Sequence, residues 1–462
     1  MKTYDIIIIG SGPGGYAAAL RASKEGKRTA VVEDRQLGGT CLHRGCIPSK
    51  TMLQHAEILQ QVETAAEWGV QTGDISFSYP QMLRRKEKVV TQLESGIKGL
   101  MKNGNIDVIQ GRGRVNDKKE VMIETENGAQ QLQAASVIAA TGTTPLVPPV
   151  KGLKETAHFT SDSIFEKKEL PASLLIVGGG IVGVEYACLF ASLHVDVTII
   201  EMKDEILVEE DADAAAVLRR SLEKLGVTIE TKAALEEIQS AENGLVTAAY
   251  TDRGGTKLEI AADEVLVTAG RKPNTSALAQ TSVQYDNGFV RVNENMETNV
   301  PGIYTIGDLA SGGWKLAHAA SAEGVTAVEH ICGLKPSMHT ALIPRCIYTF
   351  PEIAAVGMTE KQAEASGCHY KTETIPFQGS GKAMAMGESE GFTKIIAEQK
   401  HGEILGVVMV GPHVTEMIGE PAAYMHLEGT VEELASMVHP HPTLLENLYE
   451  AANAWLGKGI HH

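Results

Sequence analysis

Two cysteines, Cys41 and Cys46, stand five apart in GGTCLHRGCIPSK, just ahead of the helix-like run KTMLQHAEILQQVETAAEW. At that spacing near one helix start, two thiols can close a small disulfide, and the positive end of the helix favours a thiolate. A structural zinc site needs about four ligands; only His43 stands nearby, so no metal is expected. Two inert buried thiols are the plainer alternative, but the context reads as a redox-active dithiol. A thiol of pKa ~8.5 is only about 3% thiolate at pH 7, so such chemistry calls for a base. HPHPTLLENLYEAA, near the other end of the chain, offers His439 and His441, with Glu446 to orient an imidazole. Spacing alone does not choose between the two histidines.

A scaffold to hold these groups is written twice. YDIIIIGSGPGGYAAAL from Tyr4 and SLLIVGGGIVGVEYACL from Ser173 each run an unalternated apolar strand into a G-x-G-x-x-G turn. The glycines are Gly10, Gly12 and Gly15 in the first copy and Gly178, Gly180 and Gly183 in the second. An acid closes the next strand in each, Glu33 and Glu201, both 23 residues beyond the first glycine. One such motif is weak, but two in the same strand-turn-helix context read as dinucleotide-binding units. The first glycine makes the turn, the second lets backbone reach a pyrophosphate, and the third seats the helix on the sheet. Amides at the helix start then face the phosphates. Glu33 and Glu201 would accept hydrogen bonds from an adenosine ribose and repel a 2′-phosphate, which favours NAD over NADP at the second site.

Both copies continue into a predicted antiparallel meander, with turns at Asn127-Gly128 and Gly254-Gly255. Both end alike, in SVIAATGTTP and EVLVTAGRKP. Glu33 to Gly142 is 109 residues and Glu201 to Gly270 is 69, so the first copy holds about 40 more, beginning at the cysteines. Pro145, Pro148 and Pro149 read as a linker into the second unit, Lys272-Pro273-Asn274 as the way out, and the chain from about 343 as a further domain.

The 462 residues carry 58 acidic and 41 basic side chains, a net charge of -17, which repels phosphate backbones; neither nucleic acid nor membrane is an expected partner. The longest apolar stretch, Leu174 to Phe190, contains four glycines and Glu185 and falls short of the ~20 residues of a membrane span. Asp5 interrupts the amino-terminal apolar run and no cleavage site follows, so no signal peptide is expected and the location is read as cytoplasmic. Six cysteines are too few for a disulfide scaffold, and in a reducing compartment a disulfide should be catalytic.

The cysteine segment, the paired glycine motifs, TNVPGIYTIGDLA and HPTLLE together resemble the pyridine nucleotide-disulfide oxidoreductases over essentially the whole chain, most closely their dihydrolipoamide dehydrogenase branch. The resemblance implies an α/β fold of two Rossmann-like domains plus a carboxy-terminal α+β dimerisation domain. Residues 1–147 and 272–342 would form the FAD-binding and central parts, 148–271 the NAD-binding domain and 343–462 the dimerisation domain. Cys41 would exchange with the substrate dithiol, Cys46 would lie as a thiolate against the flavin, and Lys50, paired with Glu185, would sit beside the isoalloxazine. FAD is assigned to Gly10, Gly12, Gly15, Glu33, Lys50, Thr141, Gly142, Asp308 at the ribityl chain, and Ala317. NAD is assigned to Gly178, Gly180, Gly183, Glu185, Glu201 and Gly270. The resemblance selects His441, with Glu446, as the base, supplied by the second subunit of a homodimer.

His43 and Arg44 replace the family's usual Asn and apolar residue, and the added charge is expected to lower a thiol pKa. Cys188, Cys332, Cys346 and Cys368 are expected to be structural. The implied reaction is oxidation of protein-bound dihydrolipoamide through the dithiol and FAD, with reduction of NAD. Since no lipoyl domain precedes residue 1, the lipoyl group would come from a subunit of a 2-oxoacid dehydrogenase or glycine cleavage complex; which complex is not legible. Mercuric reductases carry a vicinal cysteine pair that the tail AWLGKGIHH lacks, glutathione-type reductases use NADPH, and soluble transhydrogenases lack the first thiol. A docking subunit with idle chemistry is the alternative from another class, and the intact Cys41, Cys46, His441 and Glu446 speak against it.

Overall fold

The run of four isoleucines forms the end of β1 (Lys2–Ile9), where Ile6 to Ile9 are at most 3% exposed, as a parallel strand covered on both faces requires. The computed structural model describes residues 2–241, 244–335 and 342–461; Met1 and residues 336–341, which the expected segments 1–147 and 272–342 include, lie outside the described residues. After β1 come α1 (Pro13–Lys24), β2 (Thr29–Glu33), α2 (Gly39–His43), α3 (Cys46–Glu63), α4 (Tyr79–Asn103), β3 (Asp107–Gln110), β4 (Arg112–Val115), β5 (Glu120–Thr125) and β6 (Gly128–Ala139). The first sheet has the order β3-β2-β1-β6-β5-β4; its β1, β2, β3 and β6 pair in parallel, and β4, β5 and β6 form the antiparallel meander. Alternate residues of β1 serve two cores. Ile6 and Ile8 meet Ala18, Ala19 and Ala22 of α1, while Ile7 and Ile9 meet Val121 and Ile123 of the meander.

The second unit repeats the plan. Between β7 (Thr143–Pro145) and β8 (Phe159–Thr160) the chain crosses over, then forms β9 (Ser173–Val177), α5 (Ile181–Ser192), β10 (Asp196–Glu201), α6 (Ala212–Lys224) and β11 (Thr228–Thr231). The meander is β12 (Ala234–Ser240), β13 (Val246–Thr251) and β14 (Lys257–Ala262), after which β15 (Glu264–Val267) completes a parallel sheet of order β11-β10-β9-β15-β8. The repeats differ in two respects. β6 runs unbroken from the meander into the first sheet, whereas Asp263 separates β14 from β15, its Oδ2 accepting from the Ser173 amide at 2.7 Å and from the Ser173 hydroxyl at 3.0 Å. The 39–103 segment of the first copy, with α2, α3 and α4, stands where the second copy has only α6.

The proline-rich linker is itself ordered. β16 (Arg271–Pro273) pairs antiparallel with β7, so the chain enters and leaves the second unit on one two-stranded ribbon. It then forms β17 (Tyr285–Asp286), β18 (Phe289–Val290) and β19 (Ile303–Thr305), which pairs in parallel with β6, before α7 (Ala317–Ile331) packs on α1.

The remaining strands, β20 (Arg345–Ile347), β21 (Glu352–Gly357), β22 (Tyr370–Pro376), β23 (Phe392–Glu398) and β24 (Ile404–Gly411), make an antiparallel sheet of order β20-β21-β24-β23-β22. Helices α8 (Glu360–Ser366), α9 (Gly381–Met386), α10 (Val414–Met417), α11 (Gly419–His426), α12 (Val431–Ser436) and α13 (Glu446–Trp455) accompany it. One face of this sheet joins a continuous core with the other parts: Ile347, Phe392 and Val408 pack in the same cluster as Met52 of α3 and Phe190 of α5.

A buried ion cluster ties the second unit to this last sheet. Lys394 of β23, 3% exposed at its side chain, donates to Asp211 Oδ1 at 3.0 Å, Asp213 Oδ2 at 2.5 Å and Glu360 Oε2 at 3.2 Å. Asp211 caps α6 and is itself 3% exposed. Lys394→Met leaves that carboxylate buried without its cation, a loss on the order of 3–5 kcal/mol, which appears as a lower denaturant midpoint for unfolding.

Candidate active site

Cys41 lies in α2, and Cys46 is the first residue of α3, where unpaired helix amides and the helix dipole favour negative charge. Both are free cysteines, within hydrogen-bonding reach of each other. That bond polarises the pair. The Cys41 thiol donates to Cys46, which lowers Cys46 to about 7 against the opposing effect of burial, with Lys50 assisting. The same bond, followed by burial, raises Cys41. The inner thiol is therefore the one that favours the thiolate and the outer one the one that favours its proton.

Lys50 sits one turn along α3 from Cys46. Its ammonium donates to both oxygens of Glu185 at 2.8 Å and stands 4.7 Å from the centroid of the Tyr348 ring. Glu185, 5% exposed in the otherwise apolar α5, also accepts from the Tyr348 amide at 3.0 Å. Here three parts of the chain meet: α3, α5 and the segment after β20. Tyr348 is a member the sequence reading missed, because no motif marks it. Lys50→Met removes a cation that favours the Cys46 thiolate, so its titration, followed by thiolate ultraviolet absorbance, moves from about 7 to higher pH.

Each glycine turn divides its labour in the same way. Gly10 and Gly178 have φ of 103° and 114°, which suits glycine. A Cβ on Gly15 or Gly183 would lie 2.0 Å from the carbonyl oxygen of Gly10 or Gly178, so the third glycine seats the helix. A Cβ on Gly12 or Gly180 would meet nothing within 4 Å: the middle glycine faces open space where a ligand can reach the backbone. The acids do more than the sequence reading assigned them. Glu33 Oε2 accepts from the Ser11 amide at 2.8 Å and hydroxyl at 2.6 Å, and Glu201 Oε2 accepts from the Gly179 amide at 2.6 Å. Each therefore locks its own glycine turn, with lone pairs remaining for a ribose.

Thr141 and Gly142 follow β6, with the Thr141 hydroxyl donating to the Asn274 carbonyl at 2.6 Å and the Gly142 carbonyl accepting from the Asn274 amide at 2.9 Å. Gly270, φ 118°, accepts at its carbonyl from the Leu146 amide at 2.9 Å. Asp308 Oδ2 accepts from the Thr143 hydroxyl at 2.9 Å. The Arg271 guanidinium reaches that same hydroxyl at 2.8 Å and Asp162 at 3.2 Å. Behind Asp308, the buried Glu323 of α7 accepts from the Gly307 amide, and burial pushes its carboxyl up to about 7. Ala317 opens α7, and next to it His318 bonds to the Pro344 carbonyl at 2.8 Å, a helix-start contact. Thr143, Arg271, Asp162 and Glu323 escaped the sequence reading. Arg44 pairs with Asp162 at 3.5 Å, and the charged groups with the largest influence on Cys46 are Lys50 and Glu185.

The two histidines separate cleanly. His439, 2% exposed at its side chain, has both ring nitrogens occupied, by Glu420 at 2.7 Å and the Met437 carbonyl at 3.3 Å. His441 is 79% exposed, and its Nδ1 bonds to Glu446 Oε1 at 2.8 Å, which leaves Nε2 facing solvent. Glu446 begins α13. Its partial burial is outweighed by the Thr443 amide, at 2.8 Å from Oε2, and by His441, which hold the carboxyl below its usual range. Among the described residues, no hydrogen bond or ion pair joins His441 or Glu446 to Cys41 or Cys46. None of the described helices is long and apolar enough to cross a membrane.

Residues 4–324 match the family described as pyridine nucleotide-disulphide oxidoreductase, and 343–452 match its dimerisation domain. A dihydrolipoyl dehydrogenase of Bacillus subtilis is 41% identical, covering 99% of both chains. One from Thermus scotoductus is 37% identical, covering 100% of this chain and 99% of its own. Among solved structures, LpdA of Mycobacterium tuberculosis aligns with a TM-score of 0.89 at 28% identity over 98% of this chain and 99% of that one. The flavoprotein disulfide reductase RclA of Escherichia coli, solved as a Cu(II) complex, aligns at 0.87 and 27% identity over 98% and 100%.

Proposed function

The chain belongs to the pyridine nucleotide-disulphide oxidoreductase family, and on that premise we propose that it is an NAD-dependent dihydrolipoyl dehydrogenase. The reaction converts dihydrolipoamide and NAD+ to lipoamide, NADH and a proton. The placing of two cysteines together, Cys41 in α2 and Cys46 at the start of α3, beside the Lys50–Glu185 ion pair is the observation that carries this reading, because it pairs an exchanging outer thiol with an inner one whose thiolate the helix start and the Lys50 ammonium favour.

The residues present fit FAD at the first glycine turn and NAD at the second: Gly12 and Gly180 face open space, and Glu33 and Glu201, each holding its own glycine turn, keep lone pairs that a ribose hydroxyl would use. Gly10, Gly12, Gly15, Glu33, Thr141, Gly142, Asp308 and Ala317 would hold FAD, with Lys50 at its reactive ring. Gly178, Gly180, Gly183, Glu185, Glu201 and Gly270 would hold NAD, and Glu201 would repel the extra phosphate of NADP. When bound, FAD supplies a two-electron carrier between the dithiol and NAD.

The chain's own groups manage the protons. Cys41 exchanges with the substrate sulfur, forming a mixed disulfide that Cys46 resolves to the Cys41–Cys46 disulfide during transfer in the reverse direction; in the forward direction dihydrolipoamide opens that disulfide and leaves as lipoamide. His441 Nε2 takes the substrate thiol proton, and Glu446, ionised by its contacts, holds the ring's Nδ1–H and stabilises the imidazolium. His441 lies in the segment that matches the family's dimerisation domain, which supports a homodimer in which the partner subunit's His441 is the base acting at the thiols. The lipoyl group arrives on a subunit of a 2-oxoacid dehydrogenase or glycine cleavage complex, in the cytoplasm.

Anaerobic mixing of the yellow protein with dihydrolipoamide, followed by NAD or NADP, tests this. A long-wavelength absorption band followed by reduction of NAD but not NADP is expected. If glutathione disulfide or mercuric ion oxidises the reduced enzyme better than lipoamide does, the substrate assignment falls.

A further inference from the structure

One polar atom of the redox loop has no role in the chemistry above. Arg44 closes α2 between the two thiols, with 22% of its side chain exposed. Its Nε is buried with no hydrogen-bond partner among the described residues; Asp162 Oδ2, at 3.5 Å, is within ion-pair range but out of hydrogen-bonding geometry. A guanidinium keeps its proton, so that N–H is a standing donor. The charged groups around it are Arg35, Asp162, Glu33 and Arg271, which places three guanidiniums against two carboxylates. Both carboxylates are already engaged, Glu33 by Ser11 and the Arg35 amide, and Asp162 by Arg271. The cluster has a surplus of positive charge and a donor to spare, which suits an anion.

Its place in the fold says which anion. Under the FAD reading, on which this inference rests, Glu33 marks the adenosine end of the cofactor, and the chain from Arg271 through Thr143 to Asp308 marks the ribityl end. Arg44 has electrostatic neighbours at both. The helix it closes is pressed against the first glycine turn, since a Cβ on Gly39 would lie 2.6 Å from the Gly12 Cα. Between the adenosine and ribityl ends of FAD lies the pyrophosphate. We propose that Arg44 is a pyrophosphate ligand of FAD, its guanidinium donating to the phosphate oxygens from the redox loop, opposite the amides of α1. The loop that carries the dithiol would then be fastened directly to the cofactor it serves.

Release of FAD from the holoenzyme on serial dilution, read by recovery of flavin fluorescence, tests this without reference to turnover. Arg44→Met is expected to raise the FAD dissociation constant about 10- to 100-fold, the equivalent of a charge-assisted hydrogen bond. Arg44→Lys, which keeps the charge without the planar fork, should lose less. Arg44→Gln is expected to match the methionine variant and replaces it should that variant not fold. Asp162→Asn breaks the ion pairs to Arg44 and Arg271 yet leaves both guanidiniums, and is expected to lose less FAD than Arg44→Met. Parent-like retention in Arg44→Met and Arg44→Gln overturns the proposal, as does an equal loss in Asp162→Asn, which would make Arg44 a strut to Asp162. A parent protein that binds no FAD would instead overturn the reading beneath it.

Discussion

His441→Gln is expected to slow dihydrolipoamide oxidation by about 10²- to 10⁴-fold, the usual contribution of a positioned general base. The loss arises at the sulfur chemistry. Cys41 is raised by its bond to Cys46 and by burial, so exchange near pH 7 depends on a neighbouring group to carry the proton. Of the two candidate histidines, His441 has a ring nitrogen with no hydrogen-bond partner among the described residues, whereas His439 has both nitrogens occupied and its side chain buried. Reduction of the bound flavin by NADH needs no thiol proton and should keep its rate in this variant, which separates a lost base from a lost fold. Glu446→Gln should fall between parent and His441→Gln, because the ring keeps a hydrogen-bond acceptor but loses the charge that stabilises its protonated form. Equal rates of dihydrolipoamide oxidation in the parent and His441→Gln would remove the base from the mechanism.

Cys41→Ala should lose dihydrolipoamide oxidation altogether, a drop on the order of 10⁴-fold or more, as expected when the group forming the covalent intermediate is removed. The same substitution has a second consequence, with the opposite origin. The hydrogen bond from Cys41 is the largest influence lowering Cys46, so without it the Cys46 thiolate forms at a pH above the parent's value of about 7. The two readouts are independent: activity reports the exchange thiol, and the thiolate titration reports the pairing of the two sulfurs. A variant with no activity and an unmoved Cys46 titration would show that the thiols do not share a proton.

Local chemistry made much of this molecule legible in its residues. The glycine positions needed no tertiary context, since a turn with φ above 100° at Gly10 and Gly178, and helix positions Gly15 and Gly183 where a Cβ would lie 2.0 Å from a carbonyl oxygen, are demands that only glycine meets. The duplicated strand-turn-helix pattern and the helix following the cysteines were visible for the same reason: hydrophobic period and turn residues are properties of short segments. What escaped were contacts between segments remote in sequence. Tyr348 meets Glu185 across 163 residues, and Thr143 meets Asp308 across 165; neither side chain is marked by residue type, and each is silent until the sheets bring it to a partner.

The sequence by itself determined the paired cysteines and the two glycine turns with their acids, because each depends on residue types at short spacing. Only the tertiary structure decided which histidine has a nitrogen free, that the linker's first strand pairs with the strand leaving the second unit, and that Arg44 pairs with Asp162. Burial, desolvation and charge pairing set those outcomes, and they exist only once segments distant along the chain are packed together.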